Sequence, residues 1–215
     1  MFPKLTPITK NILIANILLY LVSNYWNFPY LYEQLSVFYI QSPHFHVWQI
    51  ITHMFMHAPM RGEGIGLTHI LFNMLTLMSF GPVLEQVLSE KKYLLLYFAS
   101  GIGAYFLNCA WNYFEIAQLG ANINDINNIP MMGASGAIFG VVAAFSTLFP
   151  DSKMYFMFIP FGVKAKYLLP AIIVISLYLG FSGSMGGIAH FAHIGGAIIG
   201  FLLARYWKSN QFRVN

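Results

Sequence analysis

The chain has 215 residues, of which 58% are hydrophobic and only 8% charged, where soluble domains carry about 25% charged residues. That balance excludes a water-soluble globular fold. The net charge of +4 is dispersed at the ends of apolar runs with no stripe or cluster, which excludes a nucleic-acid partner, and the lone Cys109 excludes a disulfide framework.

In chain order, apolar runs near membrane-spanning length predict helices at about 11–27, 68–88, 92–113, 135–150, 166–182 and 188–207. The fourth and fifth are short. The first lacks a small-residue cleavage site and reads as a retained span rather than a signal peptide. Between the first and second runs, residues 28–67 form an aromatic, charge-poor loop with His44, His46, His53 and His57, a composition that suits the membrane interface. Residues 114–134 form a second loop, whose Asn122 to Asn128 stretch and Pro130 argue against a span. No linker, repeat or low-complexity tract divides the chain. The expectation is a single all-α domain over 1–215, a bundle of six transmembrane helices.

Basic residues near span ends stay cytoplasmic. Lys4, Lys10, Lys91, Lys92, Lys153, Lys164, Lys166, Arg205, Lys208 and Arg213 fall on one side of such a bundle, and only Arg61 falls on the other. Both termini are therefore expected in the cytoplasm.

Two polar residues sit where burial is expensive. Ser135, in Gly133-Ala-Ser-Gly136, opens the fourth run, and His193 opens the sixth; lipid gives such groups no hydrogen-bond partner, so they mark function by default. Serine becomes nucleophilic only with a base in hydrogen-bond reach. Gly136 and Gly140 on one helix, and Gly196 and Gly200 on the other, are small-residue pairs that let helices approach closely and could bring Ser135 to His193. Phe139, one turn past Ser135, could pack on the imidazole.

An oxyanion needs preorganised donors. The Ser135 N–H, at a helix start, is one; His69 and Asn73, four residues apart on one face of the second span, supply two more. Glu85, Glu115 and Asp125 are not placed to orient His193, so the expectation is a Ser–His dyad. His190 is the rival base. The plainer readings are a helix-packing seam for the glycines, an interior hydrogen-bonded histidine for His193, and an interhelical amide for Asn73. A zinc site from His53, His57, His190 and His193 lacks the His-Glu-x-x-His pattern. No metal or other cofactor is expected, and His53 and His57 read as structural hydrogen-bonding residues.

Gly133-Ala-Ser135-Gly136, His69-x-x-x-Asn73, Ala192-His193-x-x-Gly196-x-x-x-Gly200, Thr52-His53-Met-Phe-Met-His57 and Gly81-Pro82-x-x-Glu85 together resemble the rhomboid intramembrane serine proteases, from about Trp48 to Arg205. The resemblance implies cleavage of transmembrane protein substrates in or beside the bilayer. It assigns Ser135 as nucleophile, His193 as general base and acid, and His69 and Asn73 as oxyanion donors. It also implies a first loop partly in the outer leaflet, and a fifth span and following cap loop that gate substrate entry. Two departures stand out: the stretch from His57 to His69 is about seven residues longer than the compact family pattern, and the usual Trp-Arg pair reads Trp48-Gln49. The competing readings are an inactive rhomboid-like protein that binds transmembrane clients, and a small transporter or channel. The family's habits place a compact chain of this kind in a bacterial plasma membrane.

Overall fold

The computed structural model describes residues 3–25, 29–60, 65–154, 162–182 and 190–211. Arg61, Arg213, the cap loop after the fifth run and the outermost residues of the first and sixth predicted spans lie outside the described residues. Most of what is described is helical, and the extended pairings among the described residues are a two-residue antiparallel pair, Lys153–Met154 with Val163–Lys164, and one bridge between Val37 and Met131.

Helix α1 runs Pro7–Tyr25, with proline at the first helical position, where its missing N–H costs nothing. Two short helices, α2 (Pro29–Leu35) and α3 (Gln49–Thr52), and a 3₁₀ turn at His53–Phe55 give the first loop a defined structure. Long helices α4 (Ile65–Leu88) and α5 (Glu90–Leu119) follow, then short α6 (Ile123–Asn127), α7 (Ser135–Leu148), α8 (Leu168–Ser182) and α9 (His190–Gln211). By length and composition, Gly66–Leu88 and Glu90–Leu119 are long and apolar enough to cross a bilayer, and Ser135–Leu148 and Ala165–Phe181 are shorter apolar helices.

Several helix ends depart from the apolarity reading: α1 starts at Pro7 rather than near 11, and α9 runs to Gln211 rather than 207. Apolarity places the end of the third run near 113, but α5 continues to Leu119, because Phe114–Leu119 contains no helix breaker and a few polar residues do not unwind a helix. It ends at Gly120, in the left-handed conformation at φ 71°, whose N–H bonds to the Glu115 carbonyl. The fourth run stops at Leu148, two residues before Pro150, which disfavours helical backbone in the residue ahead of it.

Helices α5, α7 and α9 pack most extensively on one another. Glycine makes this possible. A Cβ on Gly196 would fall onto the Gly136 carbonyl oxygen, and one on Gly200 onto that of Gly140, so the two small-residue pairs face each other backbone to backbone. Leu77, Leu84, Tyr93, Leu96, Tyr97, Val141 and Ala204 fill the interior around this seam. The opposite helix faces carry exposed apolar side chains, among them Leu18, Phe72, Leu95, Phe106, Val174, Tyr178, Phe181 and Leu202.

A buried carboxylate joins α1 to α4. Glu85 accepts hydrogen bonds from the N–H groups of Ile8 and Thr9 at 2.9 and 2.8 Å and from the hydroxyls of Thr9 and Thr6. An acceptor at the first turn satisfies N–H groups that have no partner within their own helix. This use of Glu85 was not visible in the sequence.

Candidate active site

The site begins with the chain's approach to α7. The Val37 and Met131 backbones exchange hydrogen bonds at 2.9 and 2.7 Å, and the Gly133 N–H donates to the His53 carbonyl at 2.9 Å. The first loop thus holds the segment that delivers Ser135. Gly133 has φ 132°, a conformation that side-chain-bearing residues rarely adopt. A Cβ there would also stand 3.0 Å from His69 Cε1 and 3.1 Å from His69 Nε2, and 3.6 Å from Ser135 Oγ. Glycine is required on both counts, and His69 and Ser135 flank the same small space.

Ser135 is the first residue of α7, and no side chain caps this end. Its first-turn N–H groups and the positive end of the helix dipole are therefore available where a developing negative charge would form. Ser135 Oγ lies 3.0 Å from His193 Nε2. The imidazole of His193 stacks on Phe139, with ring centroids 4.2 Å apart and planes 4° from parallel. His190 is buried with its ring edge-on to His193 at 6.1 Å, and its Nε2 has no hydrogen-bond partner among the described residues. Of the two histidines, His193 is the one that meets Ser135.

His69 Nδ1 accepts a long hydrogen bond, 3.4 Å, from the Ala58 N–H. In a neutral ring one nitrogen accepts and the other donates, so His69 Nε2 carries the proton on the side of Gly133 and Ser135. Asn73, one turn along α4, is buried and donates from Nδ2 to the His69 carbonyl at 2.8 Å. One of its amide hydrogens is thereby committed to its own helix, and one remains.

The loop histidines have separate protein partners: His53 Nδ1 with the Gln49 carbonyl at 2.9 Å, and His57 Nε2 with Asn16 Oδ1 at 2.8 Å. Burial pushes the His53 ring down to about 4 and the His57 ring down to about 3, so both are neutral at physiological pH. Gln49, which replaces a basic residue of the resembled family, is fully buried. Its Oε1 accepts from the His46 N–H at 2.9 Å, and its Nε2 donates to the carbonyls of Glu33 and His44 at 2.9 and 3.2 Å. Asn16 is not singled out by the sequence motifs; its signal is that it is the one amide between Ile12 and Val22.

The geometry defines a helical protein with a serine–histidine pair at the start of two glycine-seamed helices. Residues 44–209 match the Rhomboid domain family. The chain belongs to that family, whose members are embedded in membranes. It is 35% identical to the rhomboid protease AarA of Providencia stuartii over 141 residues, 64% of this chain and 50% of that protein. It is 30% identical to the putative rhomboid protease YdcA of Bacillus subtilis over 159 residues, 73% of this chain and 65% of that protein. Against the human mitochondrial presenilin-associated rhomboid-like protein the identity is 26% over 211 residues, 93% of this chain and 49% of that protein. The chain thus spans about half to two thirds of the length of these curated relatives.

Proposed function

We propose that this protein is a serine endopeptidase that cleaves transmembrane proteins within or near the outer leaflet. The observation that carries the reading is the 3.0 Å approach of Ser135 Oγ to His193 Nε2. Ser135 donates its proton to His193 Nε2 as its oxygen attacks the scissile carbonyl, and the N–H of Ser135, His69 Nε2–H and the free amide hydrogen of Asn73 bind the resulting oxyanion. His193 then protonates the departing amine, leaving an acyl-enzyme on Ser135. Water, deprotonated by His193, hydrolyses the ester and restores the serine. No carboxylate is invoked; stacking on Phe139 orients the imidazole. A substrate helix must unwind locally to expose its carbonyl, so Gly or Pro near the cleaved bond favours cleavage.

We place α1, α4, α5, α7, α8 and α9 across the bilayer as one domain, with both termini cytoplasmic, and the chain in a bacterial plasma membrane. Support for the orientation comes from the clustering of basic residues at one end of the bundle. Lys92 lies over the Trp207 ring at 5.9 Å, Lys208 donates to the Thr147 carbonyl at 3.1 Å, and Lys164 pairs with Asp151 at 3.3 Å. The exposed apolar helix faces match a lipid surround, and relatives in Providencia and Bacillus support the bacterial setting.

The test is cleavage of a labelled transmembrane peptide by purified protein, comparing wild type with Ser135→Ala and His193→Ala at matched folding, beside labelling by a fluorophosphonate. Cleavage and labelling in wild type alone are expected. Cleavage by all three removes the dyad assignment. Failure of wild type to cleave any substrate or to label Ser135 makes an inactive, client-binding rhomboid-like protein the better reading.

A further inference from the structure

The reading of His69 as an oxyanion donor leaves open what holds its ring, and the answer lies on α1. Asn16 is a fully buried amide inside a predicted span. Its Nδ2 donates to the Ile12 carbonyl at 2.8 Å. A carbonyl can only accept, so this bond settles which end of the amide is which. Asn16 Oδ1 must therefore be the atom that faces His57 Nε2 at 2.8 Å, and His57 Nε2 must carry the proton. His57 is fully buried, and its Nδ1 has no partner among the described residues. The bond to Asn16 is thus the one side-chain hydrogen bond given to this ring among the described residues.

The consequence passes along one peptide unit. His57 is followed by Ala58, whose N–H donates to His69 Nδ1. The His57 and His69 rings also meet edge to face, with centroids 5.2 Å apart. That N–H keeps Nδ1 of His69 unprotonated and so puts the proton on Nε2, beside Gly133 and Ser135. At 3.4 Å the Ala58 bond is long, so small displacements of the 57–58 segment weaken it steeply.

We infer that Asn16 and His57 are positioning residues: Asn16 anchors His57, His57 fixes the Ala58 N–H, and that N–H holds His69 with its Nε2 proton aimed at the Ser135 site. Helix α1 contributes no group to the chemistry proposed above, yet by this route it is part of the oxyanion machinery. The inference rests on that proposal for its kinetic consequence alone; the ring arrangement itself is independent of it.

The experiment compares wild type, Asn16→Leu and Asn16→Asp in detergent. Aspartate keeps an acceptor for His57 Nε2–H, and leucine does not. Two readouts are taken: kcat and KM on the labelled transmembrane peptide, and ¹⁵N chemical shifts of the His69 ring, assigned with His69→Gln. Asn16→Leu should lower kcat about 10- to 100-fold, the scale of a partly lost preorganised donor, with KM within about twofold and the His69 ring shifted toward a mixture of tautomers. Asn16→Asp should recover most of kcat and the wild-type ring shifts. An Asn16→Leu variant with unchanged kcat, or with unchanged ring shifts while kcat and thermal stability fall together, overturns the inference, the latter showing a structural role only. If wild type does not cleave at all, the proposed function fails while the ring shifts still decide the role of Asn16.

Discussion

Gly196→Ala isolates what sets the distance between Ser135 and His193. The added methyl would fall onto the Gly136 carbonyl oxygen, with Gly136 Cα only 3.3 Å away. These are backbone atoms, which cannot swing aside as the end of a flexible side chain can. Ordinary contact is about 3.5 Å, so α9 must retreat from α7 by more than about 1 Å. His193 lies one turn before Gly196 on the same helix and moves with it, and Ser135 adjoins Gly136. A 3.0 Å approach widened by that amount is no longer a hydrogen bond. A misplacement near 1 Å can cost about 100-fold in rate, and overpacking costs about 1–3 kcal/mol in stability. The assay is cleavage of a labelled transmembrane peptide, with thermal unfolding in the same detergent to confirm folding. The expected result is a loss of about 100-fold in kcat/KM, a modestly lowered Tm and slower fluorophosphonate labelling. A folded Gly196→Ala protein that cleaves at the wild-type rate would refute the claim that the glycine seam sets the dyad distance.

Three further outcomes follow from the same geometry. Gly133→Ala forces a side chain into φ 132° and against His69, a strain of about 1–3 kcal/mol, so activity should drop while the overall helix content by circular dichroism is retained. Gln49→Ala strands three backbone partners in the first loop and should cost about 1–3 kcal/mol, read as a lower unfolding midpoint. Because burial holds His53 at about 4 in the folded chain against about 6.5 unfolded, the unfolded state binds more protons between those values. Stability should therefore be fully present above pH 6.5 and fall as pH drops toward 4, with His53 contributing about 1.4 kcal/mol per pH unit; a His53→Gln variant with an unflattened stability curve from pH 6.5 to 5 would contradict this.

Much of the architecture could be read from the chain alone. Long, near-continuous apolar runs with few charges read as helices, because backbone polar groups need internal partners where water is absent and barrel strands would be short and alternating. Gly136, Gly140, Gly196 and Gly200 advertise their packing faces through spacing, and the structure seats them against one another. The polar residues placed at the start of those helices, Ser135 and His193, mark themselves by the cost of putting them there. Less legible were features that depend on which loop meets which helix. Val37 pairing with Met131, Gly133 bonding to the His53 carbonyl and Glu85 receiving the first turn of α1 leave no periodic trace. The end of α5 is not legible because apolarity and helicity stop for different reasons: Phe114–Leu119 lose hydrophobicity before Gly120 stops the helix.

The amino-acid sequence by itself determined the helical, apolar class, the small-residue faces and the short set of residues able to do chemistry. It could do so because composition and periodicity are local properties, written along one strand of chain. Only the tertiary structure decided that His193 rather than His190 meets Ser135, that the His69 ring presents Nε2 to the Ser135 site, and that an amide on α1 meets His57. Those choices depend on helix rotation and on approaches between residues 58 and 41 positions apart. Such contacts are selected by packing the whole bundle at once.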